Sequence, residues 1–277
     1  MIVREPGRTR LAVLGSPIAH SRSPRLHAAA YRTLGLPWEY GRHEVDEGDL
    51  ASFIATLDDQ WRGLSLTMPL KPEALRLSAS VSDVAEETGA VNTLLLGGDG
   101  PAGYNTDVYG IMRALRDAGV ERVDRVLVLG AGATARSVVS AARRLGAASV
   151  VAAARRSDAA DALADYAGAL GLASEAADLH STLDTGADLV VNTVPGGAAA
   201  EIRFGGSQTA STLFEVAYDP WPSPLVARWD GPAVSGLEML LHQAVAQVRI
   251  FVTGDPHTPL EDENAILTAM RSGLSQA

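Results

Sequence analysis

The spacing of apolar positions along this chain changes several times, and each change marks an element. "RLAVLG" (10–15) is a nearly unbroken apolar run closed by glycine, the pattern of a short buried strand. "SPRLHAAAYRTLGL" (23–36) then takes helical spacing, with Ser23 suited to the N-cap and Pro24 to the first helical position. "WEYGRHEV" (38–45) alternates as a strand does, "EGDLASFIATL" (47–57) returns to helical spacing, and "GLSLT" (63–67) is a further strand. "AVNTLLL" (90–96) and "AGYNT" (102–106) flank the turn residues "GGDGP", which predicts a hairpin-like pair.

After Asp107 the texture becomes regular. An amphipathic helix over 108–120 leads into "RVLVL" (125–129), a glycine turn and a helix, then "SVVAAARR" (149–156) and a second helix over 157–170. "ADLVVNTVP" (187–195) and "TLFEVAY" (212–218) are two more apolar strands. Alternating strand and helix predicts a parallel sheet with crossover helices, so the fold class is α/β. The last forty or so residues, 236–254 and 258–273, are helical in pattern.

Composition narrows the function classes. The chain has 277 residues, enough for two modest domains. A net charge of -10 argues against nucleic acid and against anionic membrane surfaces as partners. The absence of cysteine excludes disulfides, thiolate nucleophiles and cysteine-ligated zinc, and the six histidines show no metal-binding spacing, so no metal is expected. No run reaches transmembrane length and "MIVREPGRTRLAVLG" has no signal-peptide apolar region; the expected location is cytoplasmic. Of 23 basic residues a single one, Lys71, is lysine.

The glycine turn is a dinucleotide fingerprint of the form G-x-G-x-x-A, running from Gly130 to Ala135. Gly130 permits the tight turn, Gly132 lets the backbone approach a pyrophosphate, and Ala135 keeps the helix close to the sheet. The bland reading is a small-residue turn made for packing. The end of the second strand selects the cofactor. An NAD site usually carries an acid there for the ribose 2′-hydroxyl. This chain has Arg155 and Arg156 instead, which suits the 2′-phosphate of NADP unless both are merely solvated charges; Asp158 stands close behind.

Taken together, "GSPIAHSRSP" (15–24), "LTMPLK" (66–71), "GAVNTL" (89–94), "GYNTD" (103–107), the glycine loop, "YDPWPSPL" (218–225) and "SGLEMLLHQA" (235–244) resemble the shikimate/quinate dehydrogenase family, in order from about Gly15 to Gln243. The resemblance implies an N-terminal α/β substrate-binding domain (1–107), a Rossmann-like dinucleotide-binding domain (108–236) and C-terminal helices (237–277) that return to the first domain. It implies reversible reduction of 3-dehydroshikimate to shikimate with NADP in the chorismate pathway, by a monomer or homodimer. Ser21 and Ser23 would hold the substrate carboxylate, helped by the Tyr218 hydroxyl. Thr67, Asn92, Asp107 and Gln243 would meet the ring hydroxyls. Lys71 and Asp107 would be the catalytic pair. Gly130, Ala131, Gly132, Ala133 and Thr134 would cradle the pyrophosphate, Arg155 would clamp the adenosine phosphate, and backbone near Val216 and Gly236 would face the nicotinamide.

Two departures from the family pattern stand out. Ser65 occupies a place often held by asparagine, and the phosphate clamp has Ala154, Arg156 and Ala159 where the family carries an asparagine, a threonine and a second basic residue. Several residues also admit bland readings. Ser23 can be a helix cap alone, Asn92 and Asn105 can satisfy local turns, and His20 and His242 read as structural or solvated. Ser21 has no local role in the pattern. A quinate/shikimate dehydrogenase using NAD and a dinucleotide-sensing homologue without turnover remain as alternatives; an acid at 155 would favour the first, loss of Lys71 or Asp107 the second. The catalytic role of the single lysine has a chemical rationale. Guanidinium cannot give up its proton, whereas an ammonium tuned by its surroundings can.

Overall fold

A β-carbon at Gly15 would lie 2.4 Å from Thr67 Cγ2 and 2.8 Å from the Met68 carbonyl, so the first strand ends where only glycine fits. That strand, β1 (Arg10–Gly15), lies at the heart of the first of two compact units in the computed structural model, which describes residues 9–184 and 186–275. One unit runs to Thr106 and resumes at Gln243; the other is Asp107–His242. The first eight residues, which begin the N-terminal pattern read above, lie outside the described residues.

The first unit contains β1, α1 (Ser23–Thr33), β2 (Glu39–Glu44), α2 (Leu50–Ala55), β3 (Trp61–Leu66), α3 (Lys71–Leu77), β4 (Ser80–Val81), α4 (Asp83–Thr88), β5 (Thr93–Leu95) and β6 (Ala102–Tyr104). Its sheet has the order β2-β1-β3-β5-β6-β4. β1 pairs in parallel with β2 and β3, and β5 is antiparallel to both β3 and β6, which is the expected hairpin. Ala12, Leu14, Leu64, Leu66, Leu70 and Leu94 form the centre of its core. β2 is an edge strand, and its alternation does not produce a buried face: all of its residues but Tyr40 are exposed. α1 differs from expectation by one residue. Arg22 is the cap, without a side-chain hydrogen bond, and Ser23 is the first helical residue.

The second unit opens with α5 (Asp107–Asp117), followed by β7 (Arg125–Leu129), α6 (Ala133–Arg144), β8 (Ser149–Ala154), α7 (Ser157–Ala169), β9 (Ala173–Asp178), β10 (Thr182–Asp184), β11 (Leu189–Asn192), β12 (Arg203–Gly205), β13 (Thr212–Glu215) and β14 (Ala233–Ser235). Its main sheet is parallel throughout, in the order β14-β13-β11-β7-β8-β9, while β10 and β12 pair separately. From β7 the chain moves outward through β8 and β9, then returns to the other side of β7 at β11. That reversal is the topological switch point, where open α/β sheets bind ligands at the carboxyl ends of their strands. β13 stops at Glu215, short of the expected Tyr218.

α8 (Gly236–Thr253) begins in the second unit and continues into the first, where α9 (Glu263–Ser275) follows. Its later turns lie on the first sheet. Phe251 leaves no room for a β-carbon at Gly63, and Arg62 Nε donates to the Phe251 carbonyl at 2.8 Å. Arg249 Nε donates to Glu263 Oε2 at 2.7 Å, tying α8 to α9.

His27 on α1 is fully buried, its ring stacked on Tyr40 with centroids 3.9 Å apart. Its Nδ1 lies 2.9 Å from the Ser23 carbonyl, which can only accept, so Nδ1 carries the proton. Burial lowers its pKa from 6.5 to about 4, partly opposed by that hydrogen bond. Between those values the unfolded chain takes up a proton that the folded chain refuses, so stability falls as pH falls through the window. The loss amounts to about 3 kcal/mol if the window is crossed completely. Denaturation at about pH 7 and about pH 4.5 checks this. His27→Phe, which keeps a ring on Tyr40, is expected to lose most of this pH dependence, and an unchanged slope would contradict the assignment.

Candidate active site

In the first unit, five of the expected site residues stand on β1–α1, β3–α3 and β5. Ser21 Oγ accepts the Ser23 backbone N–H at 3.3 Å, so Ser21 does have a local structural role, which is to hold the first turn of α1. The hydroxyl proton of Ser21 is not consumed in that bond. Ser23 is buried and Ser21 half-buried. Thr67 follows β3, its N–H bonded to the Leu14 carbonyl at 2.9 Å and its carbonyl accepting from Leu70 at 2.9 Å. That turn delivers Lys71 to the first position of α3, where the chain's only lysine is 8% exposed. A buried ammonium is uncommon, since burial penalises charge.

Asn92 sits at the centre of a buried network. Its Oδ1 accepts the Thr106 N–H at 2.9 Å and the Thr93 hydroxyl at 2.8 Å, while its Nδ2 donates to Thr106 Oγ1 at 2.9 Å. The backbone N–H can only donate, which settles which end of the amide is oxygen. Thr106 Oγ1 donates in turn to Gln243 Oε1 at 3.4 Å, so Asn92 and Gln243, far apart in sequence, meet through one threonine. Sequence reasoning missed the supporting residues. Gln247 Nε2 donates to Thr93 Oγ1 at 3.0 Å and its Oε1 accepts from Ser65 Oγ at 2.9 Å, which itself accepts the Tyr40 hydroxyl at 2.6 Å. The signal available was spacing: Gln247 stands one helical turn after Gln243. Asn105 instead bonds Thr88 and the Ala90 carbonyl, a local structural role.

In the second unit, Asp107 is buried as the first residue of α5. Lys71 and Asp107 therefore belong to different units. Gly130 adopts φ +98°, and a β-carbon there would lie 2.4 Å from Thr193 Oγ1, just beyond β11. The loop Gly130-Ala131-Gly132 hands over to α6, in which Ala133 and Thr134 form the first turn. A β-carbon on Gly132 would meet nothing within 4 Å; the amino end of α6 is open where an anion would approach. Arg155 is exposed just past β8, and Asp158 lies nearest Arg156, at 3.8 Å between two exposed side chains. At the other end of the sheet, a β-carbon on Gly236 would fall 1.9 Å from the Val216 carbonyl oxygen, so these two residues are in direct backbone contact. Tyr218 is half-buried in the loop after β13. The strand ends thus fit a dinucleotide: an open helix terminus, a glycine turn at the switch point and a guanidinium beyond the second strand.

The chain as a whole is similar to known proteins. Residues 13–94 fit the family model for the shikimate dehydrogenase substrate binding domain. A shikimate dehydrogenase (NADP(+)) from Rhizobium etli is 36% identical over 254 residues, covering 87% of this chain and 89% of the relative. The chain belongs to the shikimate dehydrogenase family. Among solved structures, the shikimate dehydrogenase of Mycobacterium tuberculosis superposes with a TM-score of 0.80 at 37% identity, over 95% of this chain and 99% of that one. A shikimate 5-dehydrogenase from Thermus thermophilus, in complex with NADP(H) and shikimate, gives 0.79 at 32% identity over 95% and 99%.

Two histidines near the family motifs take different places. His20 is exposed. His242 is buried, with Nε2 2.8 Å from Asp117 Oδ2 and 4.0 Å from Glu238 Oε2, and burial lowers its pKa against the pull of Asp117. Among the described residues these three form the one group with metal-ligand potential, and Arg113 holds the other oxygen of Asp117 at 3.0 Å.

Gly236 and Gly132 of the second unit give opposite expectations. Gly236→Ala must displace the Val216 backbone and is expected to cost about 1–3 kcal/mol of stability. Gly132→Ala meets open space and is expected to cost no more than about 1 kcal/mol, yet to weaken dinucleotide binding strongly. Thermal denaturation together with cofactor titration separates the two; a Gly236→Ala protein as stable as wild type would refute the contact.

Proposed function

We propose that this chain is an NADP-dependent shikimate dehydrogenase, reversibly reducing 3-dehydroshikimate to shikimate on the way to chorismate and the aromatic amino acids. One observation carries the reading: the chain's single lysine is buried at the start of α3, directly behind Thr67, in a family one of whose members was solved with NADP(H) and shikimate together. In this reading the first unit, with its returning helices, holds the substrate, and the second holds the cofactor. A cytoplasmic monomer or homodimer fits it; among the described residues no helix is long and apolar enough to cross a membrane.

When bound, the nicotinamide supplies or takes up the hydride. The chain's own groups do the rest. Ser21 and Ser23 hold the carboxylate, with help from the Tyr218 hydroxyl. The oriented amide of Asn92, with Thr67 and Gln243, fixes the ring hydroxyls, so that the reacting carbon is placed rather than searched for. Lys71 Nζ gives a proton to the forming alkoxide, or takes it from the alcohol; Asp107 pairs electrostatically with Lys71 and accepts from the hydroxyl while that hydroxyl keeps its proton. Val216 and Gly236 bound the nicotinamide end, and Arg155 holds the 2′-phosphate.

Wild-type turnover of shikimate with NADP and with NAD, followed by nicotinamide absorbance, tests the reaction itself. Arg155→Ala is expected to raise KM for NADP about tenfold or more, the worth of a hydrogen bond to a charged group, and to leave KM for NAD nearly unchanged. Equal or better kcat/KM with NAD in the wild type would overturn the cofactor preference.

Lys71→Met is expected to lower kcat by about 10²–10⁴ while cofactor affinity survives. Lys71→Arg keeps the charge and is expected to fail as well, because guanidinium holds its proton. An amine-directed reagent has only Lys71 and the α-amino group to attack, and saturating shikimate is expected to protect activity. Near-normal kcat in Lys71→Arg would rule the role out.

A further inference from the structure

β13 ends on a buried carboxylate that none of the roles above uses. Glu215 is 1% exposed, and its register partner across the sheet is Asn192, 2% exposed. Asn192 Nδ2 donates to Glu215 Oε1 at 2.9 Å and to Oε2 at 3.0 Å. Oε1 also accepts the Ala217 N–H at 3.3 Å, and Oε2 accepts the Ser223 hydroxyl at 2.8 Å. Ser223 Oγ in turn accepts the Val226 N–H at 3.2 Å, and Asn192 Oδ1 accepts the Val194 N–H at 3.1 Å. Both carboxylate oxygens are therefore acceptors, each used twice, and the donors come from three separate stretches of chain. A buried carboxylate is tolerable only with such a set of donors.

The consequence lies in what this anchor encloses. The segment from Glu215 to Ser223 leaves the sheet and comes back, and one side chain closes it at both ends. Within it stand Val216, whose carbonyl touches Gly236, Tyr218, and Trp221, which is 44% exposed. Asn192 belongs to the neighbouring strand, and the residue after it, Thr193, is the one that crowds Gly130. Glu215 is thus fixed against the strand end beside the glycine turn.

We propose that Glu215 is a positioning residue: its carboxylate, held by Asn192, sets the conformation of Val216–Ser223 and so places the Tyr218 hydroxyl and the Val216 backbone for substrate and nicotinamide. This rests on the functional reading above for what Tyr218 and Val216 contact. It does not rest on that reading for the anchoring itself. Glutamate has a specific advantage here. Glutamine has the same shape but, whichever way its amide lies, must turn an NH₂ toward Asn192 Nδ2, donor against donor in a dry site.

Glu215→Gln is the test, with three readouts. KM for shikimate is expected to rise about tenfold or more and kcat to fall, while the dissociation constant for NADP, read by fluorescence, rises much less, because only the nicotinamide end is disturbed and the glycine turn and Arg155 are untouched. Amide hydrogen exchange is expected to quicken across 216–226 and to stay at wild-type rates in β7, β8 and the glycine turn. Adding Asn192→Asp, which places a carboxylate opposite the new amide, is expected to recover a large part of both effects. Should Glu215→Gln not fold, Ser223→Ala removes one donor without creating a conflict and is expected to shift KM for shikimate and exchange in the same direction, by about two- to fivefold. Unchanged KM and unchanged exchange would overturn the proposal. So would a uniform loss of protection across the sheet with an equal loss of NADP binding, which would make Glu215 a support of the sheet alone. The exchange readout needs no substrate: a wild type that does not turn over shikimate defeats the functional reading, whereas unaltered exchange in the variant defeats the anchor.

Discussion

At three strand ends this protein leaves no room for one carbon atom. Gly15 closes β1 against Thr67 and Met68, Gly130 follows β7 against Thr193, and Gly236 follows β14 against Val216; a β-carbon at these places would lie 2.4, 2.4 and 1.9 Å from its neighbour. Each contact brings two backbone segments to the same carboxyl edge of a sheet. The Thr67 turn that presents Lys71, the glycine turn at the switch point and the Val216 backbone are all set by that closeness. Parallel strands carry their functional loops at this edge, so the approach of neighbouring loops decides where the chemistry stands.

Buried polar groups do the finer placing. In the first unit the Thr106 N–H fixes the amide of Asn92, and Gln247, Ser65 and Tyr40 continue the chain of bonds behind it. In the second, Glu215 collects donors from Asn192, Ala217 and Ser223. A buried network of this kind is costly if any member is missing and rigid if all are present. Ser65 shows how the family pattern can vary within such a network. Its short side chain, where the family often has asparagine, is bracketed by Tyr40 and Gln247, so no polar atom is stranded.

Much of this was legible in the chain. The fingerprint Gly130–Ala135 between a strand and a helix, the arginines after β8 and the hairpin around "GGDGP" follow from local pattern, because turn chemistry is a property of a few neighbouring residues, whereas the expectation for Lys71 and Asp107 came from a family resemblance. Several strands were not legible. β9, "ASEAAD", has no apolar alternation, and it is a strand because β8 offers it an open edge. β13 ends at Glu215 although the apolar run goes on to Tyr218, because the Glu215 carboxylate captures the Ala217 N–H and turns the chain.

Sequence by itself determined the α/β class, the alternation of strand and helix after Asp107, the cofactor turn and the identity of the family, since each is written in residue types at short spacing. Tertiary structure alone decided that Ser21 steadies α1 while keeping a hydroxyl to donate, that Arg22 and not Ser23 caps that helix, that Asn92 reaches Gln243 through Thr106, and that Glu215 closes the Tyr218 loop. The cap apart, those are pairings between residues 2, 8, 14 and 137 positions apart. The energy of a long-range pairing depends on burial and donor geometry, which no local pattern records.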